Sequence, residues 1–483
     1  MKKLLFLIGI LSSGLYGASI DHIQTYSPDY LANQAQTGMI DEVSAYYNPA
    51  GLSRLDKGKY VHLGLQLANG HEKMSYKGKE HKAHLTQLIP NVSLTSVDDN
   101  GAYFFTFGGL AGGGKLEYDG VSGIDVLSDL AQFQPLGVYD KGSTLTGKNL
   151  YEQVTLGRAF TINDQLSVSV AGRIVHGSRN LSGTLNIGTN PSTAYKQAKV
   201  QQVTQEVSKA VDAATQGSGL SAAQIAAIKQ QKTTQALTLL QTKMNALQQN
   251  GLSGDMDSKR EAWGYGFQIG VNYKVNDKLN LAARYDSRIK MNFKAKGSEN
   301  QLQTADIIGS NIGLSTFYPQ YAINSKIRRD LPAILSVGAS YKVTDNYLVS
   351  TSANYYFNRH AKMDRVTTFG GHEHGRDYKN GWEIALGNEY KLNDKFTLIG
   401  SVNYARTGAK NSSFNDTEYA LNSVTLGAGL RYKYDETLSI TGSVAHFIYD
   451  KEDGNFKEKY KVNDNQKYHK EITAFGISLT KKF

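Results

Sequence analysis

The sequence predicts an all-β protein: a 14-stranded antiparallel transmembrane β-barrel with a helical insertion in an extracellular loop. Three observations predict this fold class: a secretory leader, a turn that recurs between strands, and a period-two alternation of apolar residues between the turns. The length of 483 residues would also allow two or three soluble domains. The fold class is therefore inferred from the repeated turns and strands, since the length alone does not determine it.

Residues 1–17 are typical of a signal peptide. Met1-Lys2-Lys3 is charged, the segment 4–11 is apolar, and small residues precede Ala18. The apolar run is well short of the roughly 20 residues that a spanning helix needs, so we expect cleavage near Ala18 or Ser19 and no membrane anchor. The chain contains no cysteine, which favours barrel closure over disulfides as its source of stability.

A short turn recurs where one predicted strand gives way to the next. It consists of an aromatic, a polar and an apolar residue, followed in most copies by an Asn/Asp pair. The five copies begin at Phe160, Tyr273, Tyr341, Tyr390 and Tyr432. Asn and Asp favour such turns because their side chains can hydrogen-bond the local backbone. We expect the flanking aromatic residues at the membrane edge.

Between the turns, apolar residues alternate with small or polar ones. Over 263–273, for example, Trp263 and Phe267 share one face of a strand, and Gly264 and Gln268 share the other. This pattern predicts an apolar outer surface and a wet interior. The predicted strands are 58–70, 83–97, 102–118, 149–160, 166–187, 261–274, 278–296, 329–342, 347–360, 380–391, 395–407, 419–433, 437–450 and 468–483.

Short turns alternate with long connections along the chain. The long ones are 71–82, 119–148, 188–260, 297–328, 361–379, 408–418 and 451–467. In bacterial barrels the short turns face the periplasm and the long loops face outward. We therefore expect a signal peptide (1–17), a separate N-terminal segment (18–57) and a barrel (58–483) located in the bacterial outer membrane.

Composition and motifs argue against several other classes of function. Lys and Arg number 53 against 43 Asp and Glu, a net charge of +10, but no basic cluster interleaves with aromatic residues, so nucleic-acid binding is not expected. No catalytic constellation or phosphate-binding loop is present, and we expect neither an enzyme nor a cofactor. His372-Glu373-His374 offers two imidazoles, fewer ligands than a metal site normally needs, so no metal is expected.

The N-terminal segment carries a resemblance to a known family. Residues 18–57 do not alternate as a strand would, and they contain Asn48-Pro49-Ala50 after a run of small residues over 32–38. With the leader, the strands and the terminal Phe483, this segment resembles the FadL family, whose hatch has an Asn-Pro-Ala sequence and a small-residue helix. The alternative for Asn48, Pro49 and Ala50 is a tight loop that only packs.

The resemblance implies that residues 18–57 form an N-terminal hatch in the lumen of the barrel. It also implies transport of long-chain fatty acids or other hydrophobic compounds across the outer membrane. The expected partners are such a ligand, outer-membrane lipid and lipopolysaccharide, and the barrel assembly machinery through Phe483; we expect a monomer. Two external loops would capture the ligand, 119–148 with amphipathic helical spacing and 305–323. Their candidate residues are Leu127, Leu130, Phe133, Leu314, Phe317 and Tyr318. The alternative is that these apolar residues cap the barrel with a core of their own.

The third strand is the candidate for a lateral opening. In the FadL family a kink in this strand opens the barrel wall, and glycines permit such a bend. The resemblance points to Gly108 and Gly109, with Phe105 and Phe107 beside them. A flexible transition into the next loop is the alternative.

Charged residues fall on the polar strand faces, and the alternatives for them stay open. Arg173 and Arg284 are candidates for binding a ligand carboxylate, but ion-paired networks that fill the lumen explain such residues as well. Residues 194–250 have helical spacing, with a capping box at Ser221 and Gln224. This insertion suggests a surface adhesin as an alternative function, and a polar-solute porin is a second.

Overall fold

A computed structural model describes residues 27–299, 315, 318–368, 372–374, 377–416 and 418–483. The predicted signal peptide, the first part of the predicted hatch, Leu314 and Phe317 lie outside the described residues.

Fourteen antiparallel strands form the barrel wall. Each pairs with the next, and the last pairs with the first from Tyr60–Lys482 to Ser75–Lys467, so the sheet closes on itself. The predicted 14-stranded barrel is thereby confirmed. The strands are β1 Gly58–Tyr76, β2 Lys79–Asp98, β3 Gly101–Tyr118, β4 Thr144–Thr161, β5 Leu166–Gly188, β6 Leu252–Lys274, β7 Leu279–Asp286 with Asn292–Glu299, β8 Lys326–Arg328 with Ile334–Thr344, β9 Tyr347–Tyr356, β10 Gly381–Lys391, β11 Phe396–Arg406, β12 Ser423–Lys433, β13 Leu438–Tyr449 and β14 Lys467–Lys482.

The helices lie in the N-terminal segment and in the external loops. Among the described residues, the α-helices are α1 Pro28–Ala32, α2 Ser44–Tyr47, α3 Ser122–Asp125, α4 Thr193–Thr215, α5 Ala222–Asn250 and α6 Phe456–Tyr460. Short 3₁₀ helices lie at Pro49–Arg54, Val126–Asp129, Gln134–Leu136, Pro319–Tyr321, Asn358–His360 and Asn411–Ser413. Within the described part of the chain, no helix is both long and apolar enough to cross a membrane.

The recurring turns form as the sequence predicts. The Asn393 side-chain oxygen accepts hydrogen bonds from the amides of Lys395 and Phe396 at 2.9 and 3.0 Å. Asn163, Asn276 and Asp435 each accept from two amides in the same way. In each of these turns one side-chain oxygen accepts hydrogen bonds from two backbone amides. This is the physical reason why Asn or Asp recurs at this position.

The alternation of the strands also holds. The predicted outer face of β6 is exposed, with Trp263 62% and Tyr265 70% accessible, whereas Asn272 on the opposite face is fully buried. Exposed Leu, Ile, Val and aromatic side chains recur on most of the other strands and form an apolar belt around the wall. Such a belt is what a membrane-facing barrel surface requires.

Two predicted external loops are partly or wholly strand. The prediction of a long loop at 71–82 is wrong, because β1 continues to Tyr76 and β2 begins at Lys79. Only Lys77 and Gly78 connect them, both with positive φ (48° and 82°), as a tight two-residue hairpin needs. Likewise β6 begins at Leu252 instead of 261, so its outer end was mistaken for loop.

Two predicted helical stretches also differ. The long amphipathic helix over 119–148 is absent, because Pro135 and glycines such as Gly137, with φ 56°, divide the loop into short helical turns. The prediction of a small-residue helix over 32–38 is also wrong. Helix α1 lies just before it, capped by the Ser27 hydroxyl, which accepts from the Tyr30 amide at 3.1 Å.

Candidate functional site

Residues 27–57 fill the lumen at the end where the short turns lie; we call this segment the hatch. It bonds to strands on different sides of the closed barrel, so it must lie inside. The Ser167 hydroxyl of β5 donates to the Ala50 carbonyl (2.8 Å), the Ser352 hydroxyl of β9 accepts from the Thr37 amide (2.9 Å), and the Ser478 hydroxyl of β14 donates to Asp29 (2.8 Å). Small polar residues on the inner strand faces therefore hold the segment.

Asn48-Pro49-Ala50 joins the hatch to strand β6. The Asn48 side-chain amide donates to the Met39 carbonyl at 3.0 Å and to the Asn272 side chain at 2.8 Å, and the Asn48 side-chain oxygen accepts from the Gly51 amide at 3.3 Å. Pro49 begins a 3₁₀ helix, and Ala50 is fully buried. These contacts give the motif a packing role, and any further role remains a prediction.

Arg173 and Arg284, the candidates for carboxylate binding, both lie buried beside Asp286. Arg173 donates twice to the Gln153 side chain at 3.0 and 2.7 Å, and one of its nitrogens lies 3.7 Å from Asp286. Arg284 lies 3.2 Å from the same carboxylate and donates to the Tyr46 carbonyl of the hatch. The described contacts thus place both arginines in a network of the protein's own groups, and ligand binding by them remains a prediction.

Strand β3 leaves its neighbour β2 at the predicted position. Their pairing runs from Asp98–Gly101 to Asn91–Gly108 and ends there, although β2 continues outward to Lys79 and pairs with β1 throughout. Phe105 and Phe107 lie on the outer face just before the end of the pairing. The wall is therefore not closed by strand pairing between β2 and β3 beyond this point, and a lateral opening here remains a prediction.

The irregular part of β3 extends beyond the two predicted glycines. Its register against β4 shifts between Gly109 and Ala111 and again between Ala111 and Gly114. Gly112 and Gly114 have φ of 121° and 73°, conformations that favour glycine. Leu110 and Ala111 turn inward and join a buried apolar cluster with Tyr151 and Phe293.

The four candidate capture residues that the structure describes are buried. Leu127, Leu130, Phe133 and Tyr318 are 3 to 6% exposed and share one core with aromatic residues of several other loops. We call the described residues of 119–143, 318–325, 407–422 and 451–466 the loop cap. These side chains therefore cap the barrel in this structure, and a capture role requires the loops to separate.

Asp416 lies at the centre of the loop cap, and sequence reasoning missed it. Its carboxylate accepts from the Gly123 amide at 2.8 Å, from the Tyr318 hydroxyl at 3.3 Å and from the Tyr468 hydroxyl at 3.4 Å. Burial raises the pKa of this carboxyl to about 6. One side chain thus joins three loops and the start of β14, and no local motif around residue 416 signals this.

Known proteins resemble the chain in both sequence and fold. A model of the family described as outer membrane protein transport protein (OMPP1/FadL/TodX) matches residues 138–483, well over half of the chain. The chain belongs to this family. Membership in the OMPP1/FadL/TodX family agrees with the barrel, the hatch and the location in the outer membrane.

Individual relatives of this FadL-family chain are distant. Outer membrane protein P1 of Haemophilus influenzae is 24% identical over 276 residues, which are 53% of this chain and 56% of that protein. The long-chain fatty acid transport protein of Escherichia coli O157:H7 is 21% identical over 56% of this chain and 58% of its own length. The chain thus spans little more than half of these two relatives. The crystal structure of the Pseudomonas putida toluene transporter TodX superposes with a TM-score of 0.63 at 15% identity, covering 95% of this chain and 99% of that one.

The helical hairpin of this FadL-family chain rises from the loop between β5 and β6. The predicted helices over 194–250 are present as α4 and α5, and the predicted capping box forms at Ser221 and Gln224. Met244 and Leu247 at the base are buried, but Leu239 further out is 57% exposed. The hairpin is therefore anchored at its base and presents an apolar groove between its helices.

Proposed function

We propose that this chain carries hydrophobic small molecules, long-chain fatty acids among them, across the outer membrane. The loop cap captures the ligand, the lumen above the hatch binds it, and it leaves sideways between β2 and β3. Transport of this kind needs no covalent chemistry, which agrees with a family described as transport proteins. The family relatives include a long-chain fatty acid transport protein and a toluene transporter, so acyl chains and aromatic rings are both substrates to compare.

The separation of β2 from β3 carries the proposal. It begins at Pro90, which pairs with Leu65 of β1, and Leu65 and Leu67 are exposed apolar residues on the membrane face. The gap therefore starts at the outer part of the apolar belt. Behind it lie Leu110 and Ala111 of the buried apolar cluster. An apolar molecule at this position would pass from protein to lipid without meeting water.

A reversible crosslink across the gap tests the exit. A Cβ atom built on Gly114 lies 3.6 Å from the Gln87 Cβ, within the roughly 3.5–4.5 Å that a disulfide requires, and 2.6 Å from the flexible end of Leu85, which must shift. Because a side chain at the φ of Gly114 is strained, the comparison is made only between the oxidised and reduced forms of the same protein. Since the chain has no cysteine, a Gln87→Cys/Gly114→Cys protein contains only the designed pair. We expect oxidation to slow oleate uptake by cells and a reductant to restore it.

A second pair on the same strands serves as the control. Ser93 of β2 and Thr106 of β3 pair directly and are both buried inside the barrel, so Ser93→Cys/Thr106→Cys joins strands that are already joined. Its oxidation should leave uptake unchanged. Equal uptake by the oxidised and reduced forms of the Gln87/Gly114 protein would contradict lateral exit at this position.

The remaining partners follow from the same proposal. The apolar belt contacts outer-membrane lipid, and the external loops contact lipopolysaccharide. Phe483 is 72% exposed at the end of β14, where the assembly machinery could recognise it. We propose a monomer, because the barrel closes within one chain. The adhesin alternative rests on the hairpin α4–α5: deletion of 194–250 that abolishes surface binding but retains oleate uptake would assign that loop to adhesion.

A further inference from the structure

Basic side chains lie on the outer surface of the barrel where the apolar belt ends toward the long loops. Three adjacent strands, β14, β1 and β2, contribute them. We call the set the basic patch: His71, Lys73, Lys82, His84 and His469.

The basic patch continues the membrane face of its strands. On β1, Leu67 is exposed, and positions 71 and 73 follow it on the same alternating face. On β2, Ala83 and Leu85 are buried inside the barrel, so positions 82 and 84 face outward. On β14, the exposed Phe475 shares its face with position 469. All five side chains therefore point away from the lumen.

The height of the basic patch on the wall matches the level of lipid head groups. Lys59, exposed at the start of β1, and His71 bracket the exposed leucines of that strand. A strand tilted by about 40° rises roughly 30 Å over the twelve residues that separate them. The hydrocarbon core of a bilayer is about 30 Å thick. The side chains from His71 outward thus meet the head groups of the outer leaflet.

The strand register places the basic side chains opposite one another. Lys73 pairs with Lys82 on one side and with His469 on the other, and His71 pairs with His84. Directly paired side chains on one face of a sheet lie about 5 Å apart, and like charges in such positions destabilise the sheet. An anion held between these strands would relieve the repulsion.

Two carboxylates lie on the same surface, and each is close to one member of the basic patch. Glu80 lies 3.0 Å from Lys73, and Glu471 lies 3.7 Å from His71. Within the part of the chain that the structure describes, the other three members, at positions 82, 84 and 469, form no ion pair. The buried Nδ1 atom of His469 also has no hydrogen-bond partner there. These three side chains are therefore available to an external anion.

The wall at β6 has the opposite character at its outer end. Beyond the exposed Trp263, the outward positions of this strand hold Glu261, Lys259, Asp257 and Asp255. Lys259 lies 2.6 Å from Glu261, so the lysine of this wall is neutralised by its own strand. The basic patch is thus a local feature of β14, β1 and β2, and the outer rim of the belt is not basic throughout.

We propose that the basic patch binds the phosphate of a phosphorylated glycolipid in the outer leaflet, the class to which lipopolysaccharide belongs. Lysine ammonium groups and imidazole N–H groups are donors that suit phosphate oxygens. The acyl chains of such a lipid would lie on the exposed leucines of β1 directly below the patch. Since the β2–β3 pairing ends at Asn91–Gly108, a lipid held by Lys82 and His84 would lie beside the unpaired part of β2. This inference concerns the wall and does not depend on what the lumen carries.

The test compares two lipids that differ only in their phosphates. Diphosphorylated lipid A and the same lipid without its phosphates are titrated into the full-length protein in a maltoside detergent, and native mass spectrometry counts the bound lipid. We expect the phosphorylated lipid to bind more tightly, and Lys82→Gln/His84→Gln to weaken it by about tenfold or more without affecting the other lipid. Lys82→Arg/His84→Lys keeps the positive charge and should retain binding. Lys259→Gln on β6 is the matched control.

Three outcomes would overturn the lipid site. The first is equal binding of both lipids, unaffected by Lys82→Gln/His84→Gln. The second is an equal loss with Lys259→Gln, which would indicate a general attraction of the protein for anionic lipid. The third is competition by inorganic phosphate as strong as that by unlabelled lipid A, which would make the patch a site for a free anion. Oleate uptake tests the proposed function separately, and none of these outcomes bears on it.

Discussion

The hatch and the loop cap close the two ends of the lumen in different ways. Short polar side chains of the strands, such as Ser167, Ser352 and Asn272, bond the backbone and side chains of the hatch. The buried aromatic rings of the hatch also belong to the apolar cluster that continues into the loop cap. The loop cap is held by a core of large aromatic and aliphatic side chains from several loops, with Asp416 at its centre. Hydrogen bonds fix a position, whereas apolar packing is non-directional.

This difference bears on which end can open. The polar contacts of the hatch are spread over strands on different sides of the barrel, so we expect no single one of them to decide whether the hatch stays in place. The cap contacts share one core, and loosening one large side chain affects the loops together. We therefore expect the cap to be the end that opens to a ligand and the hatch to be the fixed floor.

The largest expected effect is the loss of Phe456 from the loop cap. Its ring packs against Tyr76 and Tyr460, with centroids 5.6 and 5.2 Å apart. Phe456→Ala should destabilise the cap by about 3–5 kcal/mol, the usual cost of a large buried aromatic truncation. Hydrogen exchange should rise together over 119–143 and 451–466. Phe267→Ala, on the membrane face, is the control; faster exchange confined to 451–466 would contradict a shared core.

The second-largest expected effect is a pH dependence of the stability of the loop cap, caused by the titration of Asp416. Its folded pKa, about 6, lies above the ordinary 3.8, so the closed cap favours the protonated acid. Protonation of Asp416 stabilises the closed cap by about 3 kcal/mol below about pH 4. This stabilisation is lost as the pH rises through about 6. Lys459, buried nearby with its pKa lowered by burial, is the facing cation.

Exchange protection of the cap measured at pH 5 and 7.5 checks this dependence. Protection factors corrected for intrinsic exchange should fall as the pH rises. Asp416→Asn keeps an acceptor for the Gly123 amide but does not titrate, so its protection should be the same at both pH values. A wild-type cap with equal protection at both would show that Asp416 does not titrate in this range.

The contrast between the two ends also explains what the sequence could predict. The turns at Asn163, Asn276 and Asn393 are local: each side chain bonds amides two and three residues ahead, so the motif carries the whole interaction. The strand faces follow from the same local alternation. The core around Asp416 depends instead on loops that are far apart in sequence. No spacing within the chain reports such contacts.

The hatch predicts a smaller effect from a single change. Asn48→Ala removes three hydrogen bonds at a cost of about 2 kcal/mol, while the Asn272 side chain keeps its hydrogen bonds with Asn280. The hatch should stay in the lumen, and the conductance of the reconstituted protein should remain low, because its other contacts persist. Ser53→Ala, which removes one bond to the Ala50 carbonyl, is the milder control. Porin-like conductance in the wild type would overturn the description of the hatch as a plug.

The smallest expected effect is in the turns at the hatch end. Asn393→Ala leaves the amides of Lys395 and Phe396 without their side-chain acceptor, but water can replace it because the turn is exposed. We expect a loss of about 1 kcal/mol in the free energy of unfolding, measured by urea titration in lipid vesicles. Asn393→Asp should be close to neutral, since Asp435 makes the same two bonds in its own turn. A loss of unfolding free energy from Asn393→Ala as large as that from Phe456→Ala would contradict the contrast. It would show that the hatch end is also stabilised cooperatively.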